Sequence, residues 1–401
     1  MGNGKDMGNG KEHSWGFWFL VPLYPYRRRR TLRREVVPGS VWTFDQLQGI
    51  LYTVVPIRMT VVKLASGGLL VYAPIAPTPE CIQQVRELEA THGAVRYILL
   101  PTASGLEHKV FVPAFARRFP DAQIFVAPHQ WSFPLNLPLP WLGFPRQRTQ
   151  VLPLDSKEAP FAEDIDYQIL DINLGQGSFG EVALLHKPSR TLLVTDTVLA
   201  VPQAPPGILQ LEPYPLLFHA RDNALEPIAD SEANRRKGWQ RIALFALYFQ
   251  PSVLKIAGFS QLLRDSIKAP SHAPKNYFGL FPFQWQPGWE AAFEALRGQG
   301  RPFVAPLLQS FILDHDPQAV LTWADKVAQW DFERVIPCHF EGAIATTPQE
   351  FRQAFAVFEP SSETPEAYGS THYPLPKADV EFIRNLEKRL DRWGITTPPK
   401  A

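Results

Sequence analysis

Cysteine is scarce in this chain, and so is net charge of either sign. The 401 residues include 2 cysteines, Cys81 and Cys338, which excludes a disulfide framework and favours a reducing compartment. The 40 basic and 39 acidic residues leave a net charge of +1, so no overall field attracts nucleic acid. We therefore expect a globular, cytoplasmic protein that is not secreted and has no nucleic-acid partner.

Long hydrophobic runs are also missing. The aromatic stretch at residues 14–26 (SWGFWFLVPLYPY) has 13 residues and two prolines, whereas a spanning helix needs about 20 residues. Six arginines follow it within residues 27–34, the reverse of the charge order of a secretory signal. Two interpretations of residues 15–34 remain open: a peripheral contact with an anionic membrane surface, or aromatics packed on the domain with solvated arginines.

The amino-terminal end begins with a tandem hexapeptide, MGNGKD then MGNGKE, which is too polar and glycine-rich to pack. Residues 1–40 are therefore predicted to be a disordered leader followed by the aromatic and basic segment. Residues 41–345 form the main domain, with a helical insertion at about 226–301, and residues 346–401 form a helical extension.

Proline is abundant, with 40 residues, and it punctuates an alternation of strands and helices. A hairpin is predicted over residues 54–75 around Ser66-Gly67-Gly68. A helix should begin at Pro79 with Thr78 as N-cap and end at Gly93, and the next strand should cover residues 95–100. This alternation predicts an α/β fold with proline-rich loops.

Three segments place ionisable residues directly after strand-like apolar runs: PTASGLEH at 101–108, TLLVTD at 191–196 and VIPCH at 335–339. Strand ends hold side chains rigidly enough to serve as metal ligands. Their order and spacing are typical of a metallohydrolase site.

Together with the hairpin and a glycine-rich turn, these segments resemble the metallo-β-lactamase-like superfamily over roughly residues 50–345. The chain also resembles a domain-of-unknown-function family of cyanobacteria and plant plastids, through the segments WTFDQLQG and APHQWSFPLNLP. The superfamily resemblance implies an αββα sandwich. The plastid stroma is then an alternative to the cytoplasm.

The superfamily signature T-H-x-H-x-D-H would fall on residues 102–108, where both leading histidines are absent. A further histidine of the first metal site would fall near residues 176–178 and is absent too. The resemblance leaves a degenerate ligand set of four residues, which are Glu107, His108, Asp196 and His339. These would hold one Zn²⁺, Fe²⁺ or Mn²⁺ ion, and the equal alternative is a hydrogen-bonded remnant without metal.

Two functions follow from these alternatives. The first is a mononuclear metal-dependent hydrolase of an unknown small-molecule substrate. The second is a non-catalytic binding or scaffold protein with a protein partner, peripheral to a membrane through residues 15–34.

Three other motifs in the sequence resemble functional sites. Gly175, Gly177 and Gly180 have the spacing of a kinase glycine-rich loop, but no strand lysine, catalytic aspartate or D-F-G follows, so a turn between strands is predicted. The segment FHARDN at 218–223 either lines a pocket or anchors a loop. The segment LDHDP at 313–317 is predicted to cap a helix.

Overall fold

The computed structural model of the chain describes residues 11–17, 19, 22–104, 107–132, 136–175, 177–359 and 375–392. The tandem hexapeptide lies outside these residues apart from its last two positions, so the disordered leader remains a prediction.

The larger sheet contains seven strands, which lie side by side in chain order. They are β1 (Leu32–Val37), β2 (Val41–Ile50), β3 (Thr53–Lys63), β4 (Leu69–Tyr72), β5 (Val95–Leu100), β6 (Gln123–Val126) and β7 (Thr149–Val151). Neighbours pair antiparallel from β1 to β4 and parallel from β4 to β7. The predicted hairpin of β3 and β4 is confirmed, and its turn uses Gly67 and Gly68 at φ values of 81° and 86°.

The second sheet has five strands, and a separate pair forms a small third sheet. The strands in chain order are β8 (Ile165–Asn173), β9 (Ser178–His186), β10 (Thr191–Leu193), β11 (Leu254–Ile256), β12 (Phe283–Trp285), β13 (Arg334–Ile336) and β14 (Ile344–Ala345). The five-stranded order is β14-β13-β10-β9-β8, and β11 pairs with β12. Because β10 and β13 run parallel, their carboxyl ends meet at one edge.

Helices cover the outer faces and one end of the sheets. They are α1 (Pro79–His92), α2 (Val112–Ala116), α3 (Gly207–Leu211), α4 (Tyr214–Ala220), α5 (Glu232–Tyr248), α6 (Phe259–Ile267), α7 (Trp289–Arg297), α8 (Pro306–Phe311), α9 (Pro317–Val327), α10 (Pro348–Gln353) and α11 (Lys377–Arg392). The cap predicted for α1 is confirmed, since the Thr78 side chain accepts from Cys81 N and Gly93 ends the helix. The apolar pattern of residues 110–119 predicts a helix over that whole range. The observed α2 is shorter, because Pro113 fixes its first turn and Pro120 follows.

Three buried cores define the layers. Val85 of α1 and Phe115 of α2 pack on one face of the larger sheet. Tyr72 and Leu184 belong to the core between the two sheets. Helix α9 covers the outer face of the second sheet, with Trp323 in that core. The predicted αββα sandwich is confirmed by this order of helix, sheet, sheet and helix.

A fourth core joins α3, α4, α5, α7, α8 and α11 to β2 and β3. The predicted insertion at about 226–301 contains α5, α6 and α7, but it also contains the β11–β12 pair, and helices already begin at residue 207. No helix among the described residues is long and apolar enough to cross a membrane.

Residues before 41 are partly built into the domain. The strand β1 pairs with β2, Trp15 is buried against Phe111 with ring centroids 5.5 Å apart, and the Arg29 side chain is fully buried. Phe17 and Phe19 stay exposed. The aromatic and basic segment is therefore divided between packing and surface.

Candidate functional site

Four side chains from three loops converge at one edge of the sandwich. Glu107 and His108 lie in the loop after β5, Asp196 follows β10, and His339 follows β13. His339 Nε2 lies 3.2 Å from Asp196 Oδ1 and 3.5 Å from Glu107 Oε2. His108 follows Glu107 directly in the chain, and the charges of Glu107, His339 and Asp196 act on its pKa. The structure thus brings Glu107, Asp196 and His339 together, with His108 next to Glu107 in the chain, and the role of these four residues as ligands remains a prediction.

Both histidines are oriented by the backbone. His108 Nδ1 lies 3.0 Å from Pro74 O, and His339 Nδ1 lies 2.8 Å from Pro56 O. A carbonyl oxygen can only accept, so each Nδ1 carries a proton and donates it. The Nε2 atom of each ring takes no part in these hydrogen bonds. His108 Nε2 is buried with no hydrogen-bond partner among the described residues. Fixing the ring through Nδ1–H and a carbonyl is the usual support of a metal-ligating histidine.

The two histidines differ in charge. Burial lowers the pKa of His339, but the Glu107 and Asp196 carboxylates outweigh burial and raise it well above 6.5. Burial also lowers the pKa of His108, and Glu107 and the Pro74 carbonyl oppose this only in part. His339 is therefore an imidazolium in this arrangement, and His108 is neutral.

Glu107 has a strongly lowered pKa. Burial raises its pKa, yet the charge of His339 and the hydrogen bond to it bring the pKa down to about 2, and the charge of Arg29 acts in the same direction. The Glu107 side chain is 36% exposed, so solvent screens part of this effect. Glu107 also accepts a hydrogen bond from the Gln48 amide.

The Asp196 loop is held from below by Glu181, a fully buried carboxylate on β9. Its oxygens accept from the backbone N–H groups of Thr195, Asp196 and Thr197 and from both threonine hydroxyls, at 2.5 to 3.1 Å. Burial and the charge of Asp196 raise the pKa of Glu181, and these hydrogen bonds oppose the rise. The five bonds fix the backbone from which Asp196 projects.

The His339 loop is held by a buried ion pair between β2 and β3. Arg58 Nε lies 2.7 Å from Asp45 Oδ1, and both side chains are at most 2% exposed. The same guanidinium donates to the carbonyls of Pro337, Phe340 and Glu341 at 2.6, 3.2 and 2.9 Å. Both loops of the second sheet are therefore fixed by buried charges.

The model of one protein family matches residues 38–357, and its description is Domain of unknown function (DUF4336). The chain belongs to this family. The family match confirms the resemblance to a family of unknown function, while its occurrence in cyanobacteria and plastids remains a prediction. No curated protein matches this DUF4336 member.

Solved structures similar to this DUF4336 protein include a mutant flavo di-iron protein from Thermotoga maritima, at 8% identity and a TM-score of 0.42, covering 82% of this chain and 62% of that one. The metal-soaked flavodiiron core from Synechocystis is 9% identical with a TM-score of 0.41 and coverages of 82% and 61%. A metallo-beta-lactamase from Pontibacter korlensis is 11% identical with a TM-score of 0.34 and coverages of 81% and 99%. This chain thus spans about three fifths of the length of the flavo di-iron proteins. What the site can bind therefore depends on its own residues.

The donor atoms of the four side chains match part of what a metal ion requires. Two imidazoles and two carboxylates suit a borderline cation, and two ligands of a tetrahedral ion lie about 3.3 Å apart when each is about 2.0 Å from it. The pairs of His339 with Asp196 and Glu107 lie 3.2 and 3.5 Å apart. As placed, however, no group of three or more His, Cys, Asp or Glu side chains in the described part of the chain could hold a metal ion. Donor types and ring orientation fit a metal, and binding one requires the side chains to shift.

Lys109 and Trp131 pack against Ala103 and Gly177, which lie in the two segments where the resemblance places the missing first-metal histidines. The Lys109 ammonium is buried and donates to Ala103 O at 2.7 Å and Trp131 O at 2.5 Å. The Trp131 ring lies so close to Gly177 that a Cβ there would be 2.6 Å from it.

The competing motifs have structural roles. The glycine triad joins the antiparallel strands β8 and β9, as predicted, and leads into no helix. His219 Nε2 lies 3.1 Å from Leu51 O, and Arg241 binds Asp222 at 2.6 Å, so the FHARDN segment anchors its loop. Asp316 caps α9 by accepting from Ala319 N at 3.1 Å, which confirms the predicted cap.

Sequence reasoning missed the residues that support the site. Glu181, Gln48, Asp45 and Arg58 all lie within strands whose positions are mostly buried. A charged or amide side chain inside a buried strand needs a partner, because burying it alone is costly. That signal was present in the sequence, although it does not identify the partner.

Proposed function

We propose that this protein is a mononuclear metal-dependent hydrolase of a small-molecule substrate, with one Zn²⁺, Fe²⁺ or Mn²⁺ held by Glu107, His108, Asp196 and His339. The observation that carries the proposal is the shared orientation of the two histidines. Each donates Nδ1–H to a proline carbonyl. His339 Nε2 pairs with Asp196 and Glu107, and His108 Nε2 is buried without a partner among the described residues. A neutral imidazole acceptor left unpaired costs about 1 to 3 kcal/mol, which a bound cation would recover.

The exposure of the two carboxylates and the protonation of His339 would also affect hydrolysis at this site. A bound divalent ion lowers the pKa of a coordinated water toward neutrality. Glu107 and Asp196 are each about one third exposed, so either carboxylate can meet a substrate or water at the surface. His339 must lose its proton to become a ligand, so metal and proton compete for its Nε2.

Titration of chelator-treated protein with Zn²⁺ in a calorimeter tests the proposal. We expect one ion per chain in the wild type and at least tenfold weaker binding after His108→Ala or Asp196→Asn. His129→Ala is the matched control, because His129 is paired with Asp171 on the surface and lies outside the site. Equal binding by the site variants and the control would contradict the proposal.

A non-catalytic binding or scaffold protein is the second candidate. It is favoured by the ion pairs of His339 and by the lack, in the described residues, of a group that could hold a metal as placed. In this case His339→Ala leaves two carboxylates without their cation, and the metal-free protein should lose about 1 to 3 kcal/mol of stability. Such a loss, with no metal bound by either protein, would favour this candidate.

The compartment and the membrane contact also remain proposals. Both cysteines are free and buried, which supports a reducing compartment such as the cytoplasm or plastid stroma. A peripheral contact through residues 15–34 would use Phe17, Phe19 and the exposed Arg27 and Arg28, since Trp15 and Arg29 are buried.

A further inference from the structure

The helix α6 carries a stripe of exposed apolar side chains. Phe259, Leu263 and Ile267 follow one another at a spacing of four residues and are 76%, 45% and 77% exposed. Ile256, just before the helix, is 48% exposed. Residues at this spacing share one helix face, so the stripe runs along the whole of α6.

A neighbouring loop extends the apolar surface. Phe278 is 63% exposed and lies beside α6, since a Cβ on the adjacent Gly279 would lie 2.8 Å from Ser266 O. Tyr277 and Phe278 both have positive φ, 48° and 55°. Bulky residues rarely adopt this conformation, and it costs about 1 kcal/mol or more at each.

Charge distinguishes this surface from the rest of the molecule. Residues 253–286 include Lys255, Arg264, Lys268 and Lys275 against one acid, Asp265, which gives a net charge of +3 where the whole chain has +1. The four cations are exposed, and Asp265 is half-buried. Arg264 and Lys268 each follow a stripe residue by one position and therefore line one edge of the stripe.

We propose that the α6 surface, made of Ile256, the exposed residues of α6 and Phe278, docks on an anionic lipid bilayer. An apolar stripe bordered by lysine and arginine is the arrangement of helices that lie in the membrane interface. A protein partner would need acidic groups that face the cations beside the stripe. A second copy of this chain that used the same surface would bring only further cations to the contact. The docking does not depend on the metal site.

Vesicle sedimentation tests the proposal. The full chain should bind vesicles of phosphatidylcholine mixed with phosphatidylserine at low salt, and bind pure phosphatidylcholine much more weakly. Each basic residue near such a surface contributes about a fivefold change in affinity, so Arg264→Gln with Lys268→Gln should weaken binding about 30-fold. Phe259→Gln with Ile267→Gln should weaken it at least tenfold.

Leu154→Gln is the matched control, because Leu154 is 83% exposed and lies outside the α6 surface, and it should bind like the wild type. Circular dichroism melting of each variant checks that the fold is retained. Wild-type protein that ignores anionic vesicles would overturn the proposal. So would α6 variants that bind normally, or a wild-type dimer that Phe259→Gln with Ile267→Gln converts to monomer.

Discussion

At the scale of single residues, buried charge is the feature that organises this protein. Glu181 is the clearest case, since one carboxylate with no solvent exposure accepts five hydrogen bonds from the Asp196 loop. An acceptor in this position serves the backbone donors better than any neutral side chain can, because bonds to a charged acceptor are the stronger ones.

Glu181→Gln should therefore destabilise the protein although the two side chains have the same shape. The glutamine NH₂ group cannot accept, so at least two donors of the loop lose their partner at about 1 to 3 kcal/mol each. Urea unfolding monitored by tryptophan fluorescence measures the change. Glu333→Gln, on the surface, is the control and should change the unfolding free energy by less than about 0.5 kcal/mol.

The neutral state of His219 makes stability depend on pH. Burial, opposed by the Leu51 carbonyl and reinforced by Arg221 and Arg241, lowers the pKa of His219 to about 3. A group with a depressed folded-state pKa gives stability that is complete above the unfolded pKa of about 6.5 and decreases as pH falls from there toward 3.

Between pH 7 and pH 5.5 the wild type should thus lose about 1 kcal/mol more unfolding free energy than His219→Gln. Glutamine keeps a donor for Leu51 O and does not titrate. Urea curves of both proteins at the two pH values give the comparison, and an identical pH dependence would show that His219 titrates normally in the fold.

At the scale of elements, close backbone approach limits what the helices tolerate. Gly238 in α5 faces α4, and a Cβ there would lie 1.8 Å from Leu216 O. Gly238→Ala must push the two helices apart, at about 1 to 3 kcal/mol or more. Gly258→Ala, before α6, meets no atom within 4 Å and should leave the melting temperature nearly unchanged. Similar melting temperatures for both variants would contradict this packing.

Elements with local signals were predictable, and those that depend on distant partners were not. Thr78, Pro79 and Gly93 predicted α1 because caps act within one turn. The edge strand β1 was not predicted within residues 1–40, since its sequence LRREVV carries three charges and its pairing with β2 supplies the order. The short α2 shows the opposite error, an apolar pattern that prolines cut off.

The glycine turn between β8 and β9 gives a negative prediction. No helix begins there, so the turn offers no N-terminal dipole for a phosphate. ATP with Mg²⁺ should leave the melting temperature of the protein unchanged in a thermal shift assay. A clear rise would show a nucleotide site that this topology does not supply.

At the scale of the whole molecule, the sandwich brings Glu107, His108, Asp196 and His339 together from three distant strands. The sequence could name these residues, because ionisable residues after apolar strands are visible in it. It could not show that His339 is protonated between two carboxylates, or that Lys109 joins the carbonyls of Ala103 and Trp131. Those features depend on packing between loops of both sheets.

We have proposed that Glu107, His108, Asp196 and His339 hold one divalent ion. The most direct test is a crystal of the wild-type protein grown with Zn²⁺, with diffraction measured on both sides of the zinc absorption edge. We expect one anomalous peak at full occupancy, in contact with Nε2 of His108 and Nε2 of His339. A map without a peak at this site, with His339 still paired to Asp196 and Glu107, would contradict it.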